Sequence, residues 1–189
     1  MTGKGLREVS NPSEMLIPMH GEGLSGVAVN AMLDGTRPFL IEVQALVSNA
    51  TYGTPQRSAT GFDQRRMSIL LAVLEKRAGM NLHQKDTFLN AAGGFKIADT
   101  GMDLAVAGAI MSSYYDRAPK ESICCAGEIG LSGEVRPAPR TEQRIAEAAR
   151  LGFKRIIISK YVELGTQRNW NIEISEIENI SQLPRLLFT

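Results

Sequence analysis

The chain reads as one α/β (α+β) domain, and three observations carry that reading. Strand-like runs come first, between Val27 and Val47. From Phe62 onward helical and strand-like patterns alternate. No proline-rich linker and no internal repeat divides the 189 residues, which are enough for one sizeable core. At 43% hydrophobic and 22% charged, the composition is that of an ordinary soluble globular domain. A net charge of +1 excludes a uniformly basic surface, so any nucleic-acid role must rest on a local patch.

The elements follow in order. Residues 1–13 are polar and read as a lead-in, and Met15 to Met19 as a short strand. Gly21, Gly23 and Gly26 have the spacing of a dinucleotide loop, but that fingerprint must open a helix and Val27 to Leu33 reads as a strand. A flexible loop or bulge is the better reading. Asp34-Gly35 signals a hairpin turn. In the following strand Phe39, Ile41, Val43, Ala45 and Val47 alternate onto one face. Residues 49–59 read as a polar loop. A helix is predicted from about Phe62 to Arg77, with Thr60 as N-cap, Asp63 as its capping-box-like partner and Gly79 as the stop. Thr87 to Ala91 reads as a strand, and Met102 to Tyr115 as an alanine-rich helix whose Gly108 allows close packing.

Ser122 to Ala126 and Gly133 to Arg136 read as strands, and Thr141 to Leu151 as a helix with Gly152 at its C-cap. Arg155 to Ser159 holds three consecutive isoleucines, which predicts burial on both faces. Asn171 to Ser175 reads as a strand, and Ser181 to Phe188 as a helix with Pro184 in its first turn. Cys124 and Cys125 are adjacent, so on a strand they point to opposite faces and read as buried small hydrophobes of a reducing compartment. His20 and His83 lack metal-ligand spacing. No apolar run reaches membrane-spanning length and the N-terminus has no apolar signal region, which places the chain in the cytoplasm.

Two segments carry the functional signal. Gly93-Gly94-Phe95-Lys96-Ile97-Ala98-Asp99-Thr100-Gly101-Met102-Asp103-Leu104 runs into the small-residue helix. Gly127-Glu128-Ile129-Gly130-Leu131-Ser132-Gly133-Glu134-Val135-Arg136-Pro137 follows some way on. Together they resemble the proteolytic domain of the Lon ATP-dependent proteases, which uses a serine–lysine pair. Laid on that pattern, the serine position falls on Gly101, or on Met102 after a one-residue shift, and the lysine position falls on Glu142. None is a nucleophile or a neutral amine. Thr100, flanked by Asp99 and Asp103, is the hydroxyl in the slot, and Thr100 or Asp99 reads as a helix cap.

Further motifs narrow the resemblance. They are Gly5 to Glu14 (Gly-Leu-Arg-Glu-Val-Ser-Asn-Pro-Ser-Glu), Gly35-Thr36-Arg37-Pro38, Glu42 to Val47, Leu70 to Leu74, and Ile145 to Ala149 before Gly152-Phe153. With them the chain resembles the C-terminal, Lon-protease-like domain of the RadA (Sms) family of bacterial DNA repair proteins. The resemblance implies a ribosomal-protein-S5-domain-2-like fold over residues 14–189, with residues 1–13 leading in from an ATPase region. It implies homo-hexameric rings, DNA (single-stranded or branched) as partner, and branch migration driven by a RecA-like ATPase. That family carries a zinc finger and the ATPase ahead of this domain. The present sequence has no Gly-x-x-x-x-Gly-Lys-Ser/Thr motif and no four-cysteine cluster, so ATP, magnesium and zinc are expected outside it. On these grounds the chain is expected not to be an enzyme in itself.

The basic residues locate the DNA reading. From Arg136 to Arg155, Arg136, Arg140, Arg144, Arg150, Lys154 and Arg155 face only Glu142 and Glu147. Arg57, Arg65 and Arg66 form a second cluster against Asp63. Arginine's planar fork suits phosphate. Arg57, Arg65, Arg66, Arg136, Arg140 and Arg144 are therefore the expected DNA contacts. Aromatic residues make up 6% of the chain and show no interleaving with basic ones, so backbone contact rather than base stacking is expected. Two alternatives stand beside this reading: an oligomerisation scaffold without DNA contact, and a cryptic peptidase using Thr100 with Asp99 or Glu142.

Overall fold

Asp34 and Arg37 face each other across the two-residue loop Gly35-Thr36, and the sheet grows from this hairpin. Gly35 has φ +59°, as a tight turn between strands requires. In the computed structural model, which describes residues 13, 17, 23–51, 53–94, 97–120, 122–166 and 169–189, the hairpin joins β1 (Val27–Asp34) to β2 (Arg37–Asn49). The expected lead-in apart from Ser13, the Met15–Met19 strand apart from Ile17, His20 and Gly21 lie outside the described residues.

The seven-stranded sheet is mixed. On one side β2 pairs antiparallel with β4 (Lys85–Ala91), which pairs in parallel with β3 (Arg57–Thr60). On the other side β1, β5 (Ile123–Ala126), β8 (Arg155–Ser159) and β9 (Glu173–Ile177) run parallel. The order is β3-β4-β2-β1-β5-β8-β9. A separate ribbon pairs β6 (Glu128–Ile129) with β7 (Val135–Arg136). Helices α1 (Gln64–Ala78), α2 (Asp103–Tyr115), α3 (Thr141–Arg150) and α4 (Leu183–Phe188), with short 3-10 turns at Ala92–Gly94, Thr100–Met102 and Ile180–Gln182, complete the described elements. The fold is α/β.

Both sheet faces are covered. Leu70 and Leu74 of α1, Leu104 and Ile110 of α2 and Leu187 of α4 share one core with Ile41, Val43, Cys125 and Ile157. Ile145 and Ala148 of α3 share the other with Leu40, Cys124, Ile156 and Ile158. The two cysteines thus lie in opposite cores, and the three isoleucines divide between them, as strand alternation requires. Burial pushes both thiols up, Cys125 to about 12 and Cys124 well above its ordinary value. Helix α2 is buried without interruption from Asp103 to Ser112. Gly108 makes this possible, since a Cβ there would stand 3.3 Å from Leu187 Cδ1. No helix among the described residues is long and apolar enough to cross a membrane.

Several boundaries depart from the sequence reading. Residues 57–60 are a strand rather than loop, because their pairing partner is the distant β4. Thr60 belongs to that strand, so it does not cap α1; Asp63 does, its Oδ1 accepting from Arg66 N at 2.7 Å. Gly79 closes α1 with φ +70°, as expected. Thr141 opens α3 without capping it, since its Oγ1 donates to Ala138 O at 2.7 Å. The last strand sits two residues further on than expected.

Gly26 shows what the glycine-rich connection before β1 is for. Its φ is +80°, and its carbonyl accepts from Ala45 N at 2.7 Å. A Cβ at this position would lie 2.3 Å from Ala45 O. Gly26→Ala is therefore expected to lower unfolding free energy by about 1–3 kcal/mol in urea titration, as a strained left-handed position with a close contact costs. An unchanged midpoint would show that the strand entry relaxes freely.

Candidate functional site

The site is built where α2 begins. Asp99 caps a short 3-10 turn, Thr100–Met102, by accepting from Gly101 N at 2.9 Å, so the capping role expected of Asp99 is met. The same carboxylate accepts from Leu33 N of β1 at 3.2 Å. Facing it is Arg144 of α3, whose side chain is 1% exposed. Arg144 donates from Nη1 to Asp99 Oδ2 at 2.6 Å and from Nη2 to Asp99 Oδ1 at 3.0 Å. Its remaining reach goes to Ala31 O at 2.7 Å and Pro139 O at 2.9 Å. The bidentate pair thus closes both charges and four backbone groups together.

This pair occupies the space beside Gly101, the position of the missing serine. A Cβ on Gly101 would lie 2.8 Å from Ala138 Cβ and 3.0 Å from both Arg144 Nη1 and Asp99 Oδ1. No side chain fits there without displacing the ion pair. Gly101 O is also occupied: Gly127 N donates to it at 2.9 Å, and the Asn30 amide, with its nitrogen turned inward, donates at 3.1 Å and to Cys125 O at 2.8 Å. Glu142 does not serve the slot. Its Oε1 accepts from Gly165 N at 2.6 Å and so holds the loop after β8. Asp99 and Glu142, the carboxylates of the Thr100–Asp99 and Thr100–Glu142 arrangements, are thus engaged by Arg144 and by Gly165 N.

A second pair lies one turn along. Asp103 is fully buried and accepts from Arg66 Nε at 3.0 Å, from Arg66 Nη2, and from Ile129 N at 3.0 Å. Arg66 Nη2 also donates to Ile129 O at 2.9 Å, so α1, α2 and the β6–β7 ribbon meet here. Burial raises the Asp103 carboxyl above its ordinary range, outweighing the guanidinium of Arg66 and the Ile129 N–H, which lower it. The Arg66 guanidinium is raised, chiefly by its hydrogen bond to Asp103.

The six arginines expected to face DNA therefore separate. Arg144 is corrected outright: the buried stripe Thr141, Arg144, Ile145, Ala148 turns it into the core, where its donors are used. Arg66 is 26% exposed on its side chain and is engaged by Asp103. Arg136 is exposed and paired with Glu134, whose carboxyl is lowered by backbone and Arg136 hydrogen bonds. Arg57, Arg65 and Arg140 are exposed. Gln64 Nε2 donates to Arg57 O at 2.6 Å, which ties the β3 edge to the start of α1 and sets Arg57 and Arg65 on neighbouring segments. Arg140 has φ +54° at the entry to α3 and borders a cleft of about 440 Å³ that Asp34, Leu33 and Asp99 also line. Among the described residues no three His, Cys, Asp or Glu converge to hold a metal ion.

The two buried pairs were within reach of sequence reasoning. Asp99 and Asp103 stand in an apolar, small-residue stretch, where a buried carboxylate requires a partner. Helical spacing from Ile145 and Ala148 puts Arg144 on the apolar stripe.

Comparison with known proteins places this geometry. The family described as subunit ChlI of Mg-chelatase matches residues 42–161, which include β5, β6, β7, α2 and α3 and so the Asp99–Arg144 and Asp103–Arg66 pairs. The chain belongs to that family. It is also homologous over nearly its whole length to the C-terminal part of proteins named DNA repair protein RadA. That of Bacillus subtilis is 44% identical over 185 residues, covering 98% of this chain and 40% of the relative. That of Listeria monocytogenes is 48% identical over 172 residues, covering 91% and 37%. That of Escherichia coli is 45% identical over 158 residues, covering 84% and 34%. The chain spans about two fifths, or less, of the length of these curated relatives.

The family match corrects one expectation. The chain was expected not to be an enzyme, from its missing phosphate-loop motif and its lost serine–lysine pair. The family it belongs to is described instead as a subunit of an enzyme, Mg-chelatase. That expectation was drawn from missing motifs, and a missing motif excludes no activity.

Two outcomes test the pairs. Arg144→Met leaves Asp99 buried and unpaired, and should cost about 3–5 kcal/mol in denaturant unfolding; a loss below 1 kcal/mol, near the surface-pair value of about 0–1 kcal/mol, would mean the pair is not buried in solution. At Asp103 the folded chain keeps its proton to higher pH than the unfolded chain. Its contribution to stability is then full below the ordinary carboxylate range and falls as pH rises through the raised folded value. The stability difference between the native chain and Asp103→Asn should accordingly fall and then level as pH rises, read from denaturant midpoints. A difference that grows with pH would mean that Arg66 outweighs burial.

Proposed function

We propose that this chain is the ring-forming, DNA-contacting part of a nucleotide-hydrolysing DNA repair and recombination protein. The observation that carries the reading is its 44% identity, over 98% of its length, to a protein named DNA repair protein RadA. Residues 14–189 form the platform, with residues 1–13 leading in from the ATPase region. The assembly is a homo-hexamer in the cytoplasm. ATP with magnesium, and zinc, serve the ATPase and zinc-finger parts of the protein, and the ATPase drives branch migration. Serine–lysine peptidase chemistry is absent, with Gly101 and Glu142 in the two slots and the Asp99–Arg144 pair between β1 and α3.

The DNA-contacting surface consists of Arg57 and Arg65 at the β3–α1 end, with Arg136 and Arg140 before α3. Contacts are to phosphates, so binding is weakly selective and salt-dependent. Six copies in a ring raise affinity through effective concentration. A second reading, a scaffold that assembles without touching DNA, draws on the internal use of Arg66 and Arg144.

Fluorescence anisotropy with labelled branched and single-stranded DNA, over a salt series and with light scattering on the same samples, separates the two. Arg57→Glu with Arg140→Glu should weaken binding by about tenfold or more and shallow the salt dependence by about one unit per lost phosphate contact, with assembly size unchanged. A change of assembly size with DNA affinity intact would establish the scaffold. Casein should remain uncut throughout.

A further inference from the structure

The C-terminal ends of α2 and α4 bring three aromatic rings together beside the start of β4. Tyr114 and Tyr115 lie 5.1 Å apart between ring centroids, at 86°. Tyr115 and Phe188 lie 6.3 Å apart, at 82°. Each outer ring carries a cation. Lys85 Nζ stands 5.9 Å from the Tyr114 centroid, and Arg117 Cζ 5.1 Å from that of Phe188. Tyr115, the middle ring, is 41% exposed.

These groups are held rather than loosely placed. The Tyr114 hydroxyl accepts from Asn81 N at 3.1 Å. Lys85 Nζ donates to Asn49 Oδ1 at 2.5 Å, and Arg117 Nη2 to Phe188 O at 3.3 Å. Lys120 is exposed, and its backbone N–H is fixed to Leu187 O at 2.8 Å. Of the nearby carboxylates, Asp116 accepts from Ser25 Oγ at 2.7 Å and Asp86 from Gln56 N at 2.7 Å.

A single exposed tyrosine on a surface requires no explanation. Two cations seated over a connected row of rings, with the central ring open, form a different surface. Aromatic faces stack on any base, and adjacent cations meet the phosphates between bases. Duplex DNA offers no such faces, because its bases are already stacked. We infer that this platform binds unpaired bases of a single-stranded nucleic acid. The inference rests on the DNA-directed reading above. Lys85, the run Tyr114-Tyr115-Asp116-Arg117 and Phe188 come from three separate segments, so the whole cluster exists only in the folded chain.

The test uses this chain with three labelled probes of equal length: oligothymidylate, the same backbone with abasic residues, and a duplex. The base-bearing strand should bind about tenfold more tightly than the abasic one, as stacking on one ring gives. Tyr115→Ala should remove that preference and leave duplex affinity unchanged. Tyr115→Phe should keep it, and Arg117→Gln, at an exposed position, should weaken oligothymidylate binding without loss of fold by circular dichroism. Preference absent in the native chain, or intact in both Tyr115→Ala and Arg117→Gln, overturns the platform. If duplex binding then still falls in Arg57→Glu with Arg140→Glu, the arginine surface stands alone. If base preference follows Tyr115 while those charge reversals leave duplex binding intact, the platform stands and the arginine surface falls. Failure to bind any probe at low salt sinks both.

Discussion

The buried pair between Asp99 and Arg144 is the contact on which the rest of this molecule depends. It joins β1, the turn before α2 and the first turn of α3, three segments far apart in the chain. Removing two charges from water is costly, and such a pair persists only when every remaining donor and acceptor is met. Here the neighbours Leu33 N, Gly101 N, Ala31 O and Pro139 O complete the set. An apolar replacement would leave those four backbone groups without partners. The pair is therefore as much a device for satisfying backbone as an attraction between charges.

The same logic explains what became of the protease-like slot. A nucleophile needs a Cβ and open space before it, and Gly101 has neither. The cation that α3 sends toward α2 is Arg144, two residues beyond the position where a lysine was sought. Glu142, at that position, turns instead to the loop at Gly165. Asp103 and Arg66 repeat the arrangement one turn later and fasten the β6–β7 ribbon to the helices. The start of α2 has thus become a polar rivet between layers.

Charge counted along a sequence and charge shown to solvent differ here for the same reason. Arg66 and Arg144 satisfy buried carboxylates, and Arg136 is paired within its own ribbon. Arg57, Arg65 and Arg140 remain on the surface, at two sites separated by the sheet. Lys85 and Arg117 are gathered by aromatic rings instead.

The sequence by itself determined the α/β class, the hairpin at Gly35, both faces of β8 and the opposite burial of Cys124 and Cys125, because each follows from local periodicity or turn chemistry. It also determined the family, since the motifs that carry the resemblance are continuous in the chain. The tertiary structure alone decided that residues 57–60 are a strand, because the partner that satisfies their backbone is the distant β4. It also decided which carboxylate Arg66 and Arg144 each meet. A guanidinium is spent or free according to the carboxylate opposite it, and Asp99 meets Arg144, as Asp103 meets Arg66, only after the sheet has brought distant segments together.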